Sequence, residues 1–332
     1  MRSLALAFIT LLVLSVSLTA SAGSVDKALP LAGLSGGSIS VDGDPVEWGV
    51  FDCTGKAPGL YLETVNEIPQ WIWCDPLGDE RTDFSQGSPD KRVDLIQFRV
   101  TGDENYLYGL IIVNNMDFNY IGEDGGTIVA IAINRNGETI GEEWFSGDSD
   151  TKVSSDARWQ YQIVVNLADS RYRGQGRTFV SDVLRENWGG IFYIVNSSWS
   201  FKTDEDSLAA TNVSNNAIEF KVRWDTIGGV PSDGSFFLRV SLITGRGWSN
   251  FDNNGGGFWD IGGTSTSDAL DAITNVTGNT WEEVSDGDVD YYIDLYFATT
   301  PPHYPIPEPG LMVVTVTAVS AFAMVFLLRR RK

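Results

Sequence analysis

The chain has 332 residues, 44 acidic against 23 basic side chains, a net charge of −21 and a single histidine, His303. A surface this acidic repels phosphate backbones, which excludes a nucleic-acid partner. One histidine, lying in a proline-rich stretch, leaves the folded part without the ligands for zinc, haem or a histidine-based triad, and no nucleotide is expected.

Residues 1–22 read as a signal peptide. Arg2 precedes a largely apolar run from Leu4 to Leu18, and Ala20, Ser21 and Ala22 form a small-residue cleavage site. The run is short for a bilayer span, which takes ~20 residues. Residues 23–38 are a Gly- and Ser-rich lead-in. Leaving out Arg2, the four C-terminal cations and Glu308, the exported part holds 18 basic and 43 acidic residues, a net charge of −25. That charge fits bound divalent cations, a saline habitat or plain solubility. Asp outnumbers Glu by 29 to 15, and Asp is the common residue of turns and calcium loops, so calcium is the cofactor that the composition suggests.

Residues 39–298 read as one β-rich ectodomain. Ile39–Val41 enters an Asp42-Gly43 turn and ends on Trp48. Cys53 and Cys74 are the only cysteines, and in an exported chain such a pair predicts a disulfide. The stretch Val93–Val113 organises the rest. Asp94, Ile96, Phe98 and Val100 alternate with Val93, Leu95, Gln97 and Arg99, which is the period of a strand. After the turn TGDEN, Tyr106–Val113 is apolar on both faces and predicts a central strand of a two-layered fold. Further strands are expected at Thr127–Asn134 before an Asn136-Gly137 turn, Trp159–Val165, Ala217–Asp225, Ser235–Ile243 and Val289–Phe297, with a weaker one at Ile191–Val195. The strands at Trp159 and Ala217 each show one polar face. At most one short helix is expected, in the insertion Asp169–Glu186. The fold class is all-β, a single elaborated antiparallel sandwich with jelly-roll or immunoglobulin-like layers.

Val41, Asp42, Gly43, Glu47 and Trp48, followed by Asp103, Asn105, Tyr106, Leu107 and Tyr108, resemble the opening strand and the Asn-Tyr-Leu-Tyr strand of family-nine carbohydrate-binding modules and DOMON-like sandwiches. The resemblance implies a non-catalytic, glycan-binding sandwich. Some DOMON-like domains bind haem, but this ectodomain lacks a histidine to serve as axial ligand.

Residues 299–310 form a proline-rich linker, 311–328 carry no charge and read as a transmembrane helix, and 329–332 are basic and remain cytoplasmic. Pro307, Glu308 and Pro309, then the apolar span, then Arg329, Arg330 and Arg331 resemble PEP-CTERM sorting signals. That resemblance implies a sorting transpeptidase as partner, with a plain membrane anchor as the alternative. Either places the ectodomain at the cell surface.

Glycan recognition needs aromatic faces beside polar groups. Trp48, Trp159 and Trp224 fall on apolar strand faces or ends and read as core. The loop with Trp248, Phe251, Asp252, Phe258 and Trp259, and a second one with Trp71 and Trp73, are the candidate polysaccharide contacts. Asp94, Asp42 and Asp44, and Asp286, Asp288 and Asp290 are candidate calcium ligands, Asp94 because its parity turns it toward the core, where a carboxylate needs a metal, an Arg or loop amides. No pair of carboxylates stands out as catalytic, so an enzyme is not expected. The alternative function is a structural or adhesive surface-layer component that contacts other proteins.

Overall fold

The computed structural model describes residues 28–31, 39–82, 90–117, 125–168, 178–182, 185–202, 204–230, 236–248, 256–261, 267–276 and 278–298. The expected signal peptide, sorting motif (Pro307, Glu308, Pro309), transmembrane segment and Arg cluster lie outside the described residues, as do Phe251 and Asp252. Among the described residues, no helix is long and apolar enough to cross a membrane.

The first part of the chain forms β1 (Leu29–Pro30), β2 (Gly59–Val65), β3 (Ile68–Cys74), β4 (Leu95–Gly102), β5 (Tyr106–Val113) and β6 (Thr127–Arg135). The middle forms β7 (Lys152–Val153), β8 (Tyr161–Asn166), β9 (Thr178–Asp182), β10 (Arg185–Asn196), β11 (Phe201–Lys202), β12 (Leu208–Asn212) and β13 (Ala217–Arg223). The last part forms β14 (Phe237–Trp248), β15 (Gly257–Phe258), β16 (Asp271–Ala272), the single-turn helix α1 (Trp281–Val284), β17 (Asp288–Val289) and β18 (Ile293–Ala298). The short helix thus falls at Trp281, whereas the described part of the Asp169–Glu186 insertion is strand.

One sheet runs β1-β18-β14-β6-β8-β10-β9-β12-β13-β5-β4-β3-β2, with β11 beside β10, and with β15 and β16 beside β14. Its pairings are antiparallel except β1 with β18 and β9 with β12, and a separate parallel pair joins β17 to β7. The halves face each other across the main core. Val129, Ile131, Ile163, Val240 and Leu295 come from one side, and Phe98, Val100, Ile111, Phe220 and Val222 from the other. The result is all-β and sandwich-like. Trp71 Nε1 donates to the Tyr296 carbonyl at 2.9 Å, tying β3 to β18.

Both layers are also covered outside, which explains runs without a polar face. Ile128, Ala130 and Ala132 of β6 and Val164 of β8 pack under Phe145, Trp159, Phe258, Val284 and Val289, which arrive from the loops. On the other layer, Tyr108 and Leu110 of β5 lie beneath Ile39 and Trp48. Gly109 stands opposite Phe220 in the ladder, and a Cβ there would fall 2.1 Å from the Phe220 ring.

Several sequence expectations are corrected by this packing. A register shift between Leu95 and Gln97 breaks the parity of β4, so Leu95 joins Phe98 and Val100 in the main core while Ile96 is only half-buried. Gln97 and Arg99 point the other way, donating to the carbonyls of Phe51, Gly49 and Trp48. The expected polar face of β13 is covered at Glu219, which is fully buried under the N-terminal turn. The Asn136-Gly137 turn forms with φ of 57° and 66°, but β6 pairs with β8 only after the excursion 138–160. Trp71 and Trp73 are not in a loop. They lie in β3, 5% and 1% exposed, and belong to the core rather than to a glycan surface.

Cys53 and Cys74 form the disulfide, with Cα atoms 5.6 Å apart and a sequence separation of 21. It fastens the segment after Trp48 to the end of β3. Replacing both cysteines with alanine is expected to lower stability by about 3 kcal/mol, the loop-closure contribution for a ring of this size. Urea unfolding of the double variant checks this, and an unchanged midpoint would contradict it.

Candidate functional site

Two excursions from the β6–β8–β10–β14 layer meet above it. The first, residues 138–160, leaves at the Asn-Gly turn and returns through an isolated bridge between Glu142 and Trp159. The second follows β14 and comes back as β15. They touch at two glycines. The Phe258 amide donates to the Gly147 carbonyl at 2.7 Å, and a Cβ on Gly257 would lie 2.2 Å from that oxygen, so only glycine permits the approach.

Beside this contact is a cavity of about 520 Å³ lined by Trp248, Phe258, Trp259, Asp148, Asp150, Asp260 and Asp268. Trp248 and Trp259 are half-buried, Asp148, Asp150 and Asp260 are exposed, and Phe258 is a buried floor at 1% exposure. Asp268 is buried, accepts from the Ile261 amide at 3.2 Å, and is pushed up to about 7 by burial, then by Asp150 and Asp260. A second cavity of about 380 Å³ shares Asp148 and Asp150 and adds Glu142, Trp144 and Trp199. Trp144 is 41% and Trp199 46% exposed, high values for tryptophan in a protein with four others wholly enclosed.

Trp199 is held firmly. It adopts a left-handed backbone with φ of 58°, packs edge-on to Trp159 at 5.4 Å, and donates from Nε1 to Glu142 at 3.1 Å. Asp148 and Asp150 are left-handed too, at 54° and 49°. Three non-glycine residues in that region around one pair of cavities mark backbone strain held by its surroundings.

The structure therefore keeps Trp248 and Trp259 as surface aromatics, moves Phe258 into the core, and supplies Trp144, Trp199, Asp148 and Asp150, which the sequence did not single out. Trp144 and Trp199 had a weak signal: each is an aromatic among polar residues in a stretch without strand periodicity.

Of the candidate cation ligands, Asp42 accepts from the Asp44 amide, and Asp44 accepts from Asn215. Asp286 accepts from the Asp288 amide, and the Asp290 amide donates to Glu283. The bonds at Asp42 and Asp286 close two-residue turns, whereas Asn215–Asp44 and Asp290–Glu283 tie those turns to other segments. Asp94 is fully buried, although the register shift after Leu95 breaks the parity that turns it toward Phe98 and Val100, and its oxygens are engaged by the Gly78 amide at 3.1 Å and Asn114 at 2.7 Å.

Next to Asp94 is a group that the sequence did not reveal. Asp75 follows β3, Asp79 lies in the turn after it, and Asp271 starts β16. One oxygen from each comes within 4.8 Å of the other two, and all three residues are buried. Asp271 accepts from the Leu95 amide, the Ala272 amide and Thr280 Oγ1. Asp75 accepts from Trp73 Nε1 at 2.6 Å, while its other oxygen has no partner. Neither oxygen of Asp79 has one. Burial, then the neighbouring carboxylates, pushes Asp75 and Asp271 well up, and burial followed by Asp94 pushes Asp79 up to about 7.

No known protein family matches this chain in sequence, and no curated protein is similar to it.

Proposed function

We propose that the protein is a non-catalytic cell-surface module that binds a neutral polysaccharide across its two tryptophan-lined cavities. The observation that carries this reading is the pairing of Trp248 and Trp259 in one hollow with Trp144 and Trp199 in the next, joined by Asp148 and Asp150. Aromatic faces stack on the apolar faces of sugar rings, and carboxylates accept from their hydroxyls. Two adjoining hollows suit consecutive residues of one chain. The carboxylates, in a protein of net charge −21, select against uronic or sulfated glycans by like-charge repulsion. Export through the N-terminal segment, and retention through the C-terminal span with its PEP motif, bring such a module to polysaccharide at the cell exterior.

Affinity electrophoresis of the protein in gels containing neutral polysaccharides tests the reading. Retardation is expected with at least one, and Trp259→Ala and Trp199→Ala are each expected to weaken it about tenfold, or ~1.4 kcal/mol, with folding unchanged. Absence of binding to any glycan would overturn the reading in favour of a structural or adhesive surface component.

A further inference from the structure

We propose that Asp75, Asp79 and Asp271 form a calcium site that clamps β16, in the C-terminal part of the ectodomain, to the segment that follows β3. Three buried carboxylates with converging oxygens are by themselves only a cost. Removing a carboxylate from water is expensive unless a counter-charge and hydrogen bonds replace its hydration. For Asp271 the replacement is complete, with three donors. For Asp79 it is absent: the residue is 5% exposed, both oxygens lack a partner, and one of them belongs to the converging set. The free oxygen of Asp75 adds a second orphan. The charges that act most on these groups come from other carboxylates, Asp94 among them, so their environment calls for a cation rather than for another acceptor.

The donor set chooses the ion. Only oxygen is offered, which selects a hard cation over zinc or copper. Calcium takes oxygens at 2.3–2.6 Å, so ligands on opposite sides of the ion stand about 5 Å apart. The three oxygens here lie within 4.8 Å of one another, as ligands around one such ion do. Calcium's six to eight positions leave room for water or backbone oxygens beside three carboxylates. Asp94 lies outside the converging set and holds the turn carrying Asp79 through the Gly78 amide.

A cation here joins segments far apart in sequence. Asp75 and Asp79 extend from β3, Asp271 belongs to β16 and receives the first amide of β4, and Thr280 bonds both Asp271 and, through its amide, the Asp79 carbonyl. The segment that reaches Asp271 also carries Asp268 of the tryptophan-lined cavity. The site stands independently of any glycan, so failure of either leaves the other intact.

The test uses the full-length protein, stripped with chelator and then titrated with calcium alone. Its thermal midpoint is expected to rise by about 5 °C or more at saturation. Terbium in place of calcium is expected to give tryptophan-sensitised emission, because Trp73 is hydrogen-bonded to Asp75. Asp79→Asn, which keeps the shape and removes the charge, is expected to abolish both responses while leaving the chelated protein at least as stable as the wild type. A wild-type midpoint indifferent to calcium, or a response retained in Asp79→Asn, overturns the proposal. If that variant does not fold, the wild-type titration alone decides.

Discussion

Replacing Trp224 with alanine lowers the free energy of unfolding by about 3–5 kcal/mol, the range for deleting a large aromatic from a packed core. Trp224 is 1% exposed and follows β13 directly. Its ring meets Phe297 of β18 edge-on with centroids 5.5 Å apart, and Nε1 donates to the Asp103 carbonyl at 2.8 Å in the hairpin turn. The chain fits tightly around it, since a Cβ on Gly102 would already lie 3.0 Å from Cζ2 of the indole. One side chain therefore joins the turn of the central hairpin, the end of β13 and the last strand. Alanine opens a cavity among these three and leaves a buried carbonyl without its donor. Phenylalanine restores most of the volume but not the hydrogen bond, and its cost is expected to be about half as large. Urea unfolding compares them, and a loss below 1 kcal/mol for alanine would show that the surroundings collapse around the gap.

The hairpin holding that turn is legible in the sequence because β4 alternates apolar with polar residues and β5 is continuously apolar. Both faces of both strands are nonetheless covered, the outer one of β4 with Gln97 and Arg99 bonded to carbonyls. Trp48, Trp159 and Trp224 read as core from their places on apolar strand faces or ends, and all three are buried. What pattern alone does not carry is the single extra residue of a bulge. The shift beside Ile96 puts Leu95 in its place on the core side while Phe98 and Val100 stay there, and nothing in the local composition announces it. Covering segments are equally silent. Glu219 alternates in sequence as a solvent-facing residue does, and only the return of residues 39–48 over the sheet buries it. The same limit applies to the sites. Trp248 and Trp259 share one loop and were visible together, whereas Trp144 and Trp199 meet only because β8, β10 and β11 bring their loops side by side. Asp75, Asp79 and Asp271 come from opposite ends of the ectodomain, so their convergence is a property of the topology.

Glu219 also gives the protein a pH dependence whose sign is fixed. Its carboxyl receives the amides of Asp42 and Gly43 on one oxygen and Trp48 Nε1 on the other, at 2.7–3.1 Å. These donors favour the ionised form, but burial outweighs them and pushes the group from 4.5 up to about 7. Between those values the folded chain holds a proton that the unfolded chain has released. Stability is therefore fully present below pH 4.5 and declines as pH rises through 7. For Glu219 alone the decline is on the order of 3 kcal/mol, from 1.36 kcal/mol per pH unit. Asp268, also at about 7, acts in the same direction. Glu219→Gln removes this contribution, so the stability of the variant should vary less between pH 5 and 8 than that of the wild type, by about that amount. Urea unfolding at a series of pH values, in chelator so that the buried aspartates are metal-free in both proteins, measures the difference. Identical slopes would mean that the three donors prevail and Glu219 stays ionised across the range. In that case the N-terminal turn is held by a buried anion, and the glutamine variant should instead lose stability equally at every pH.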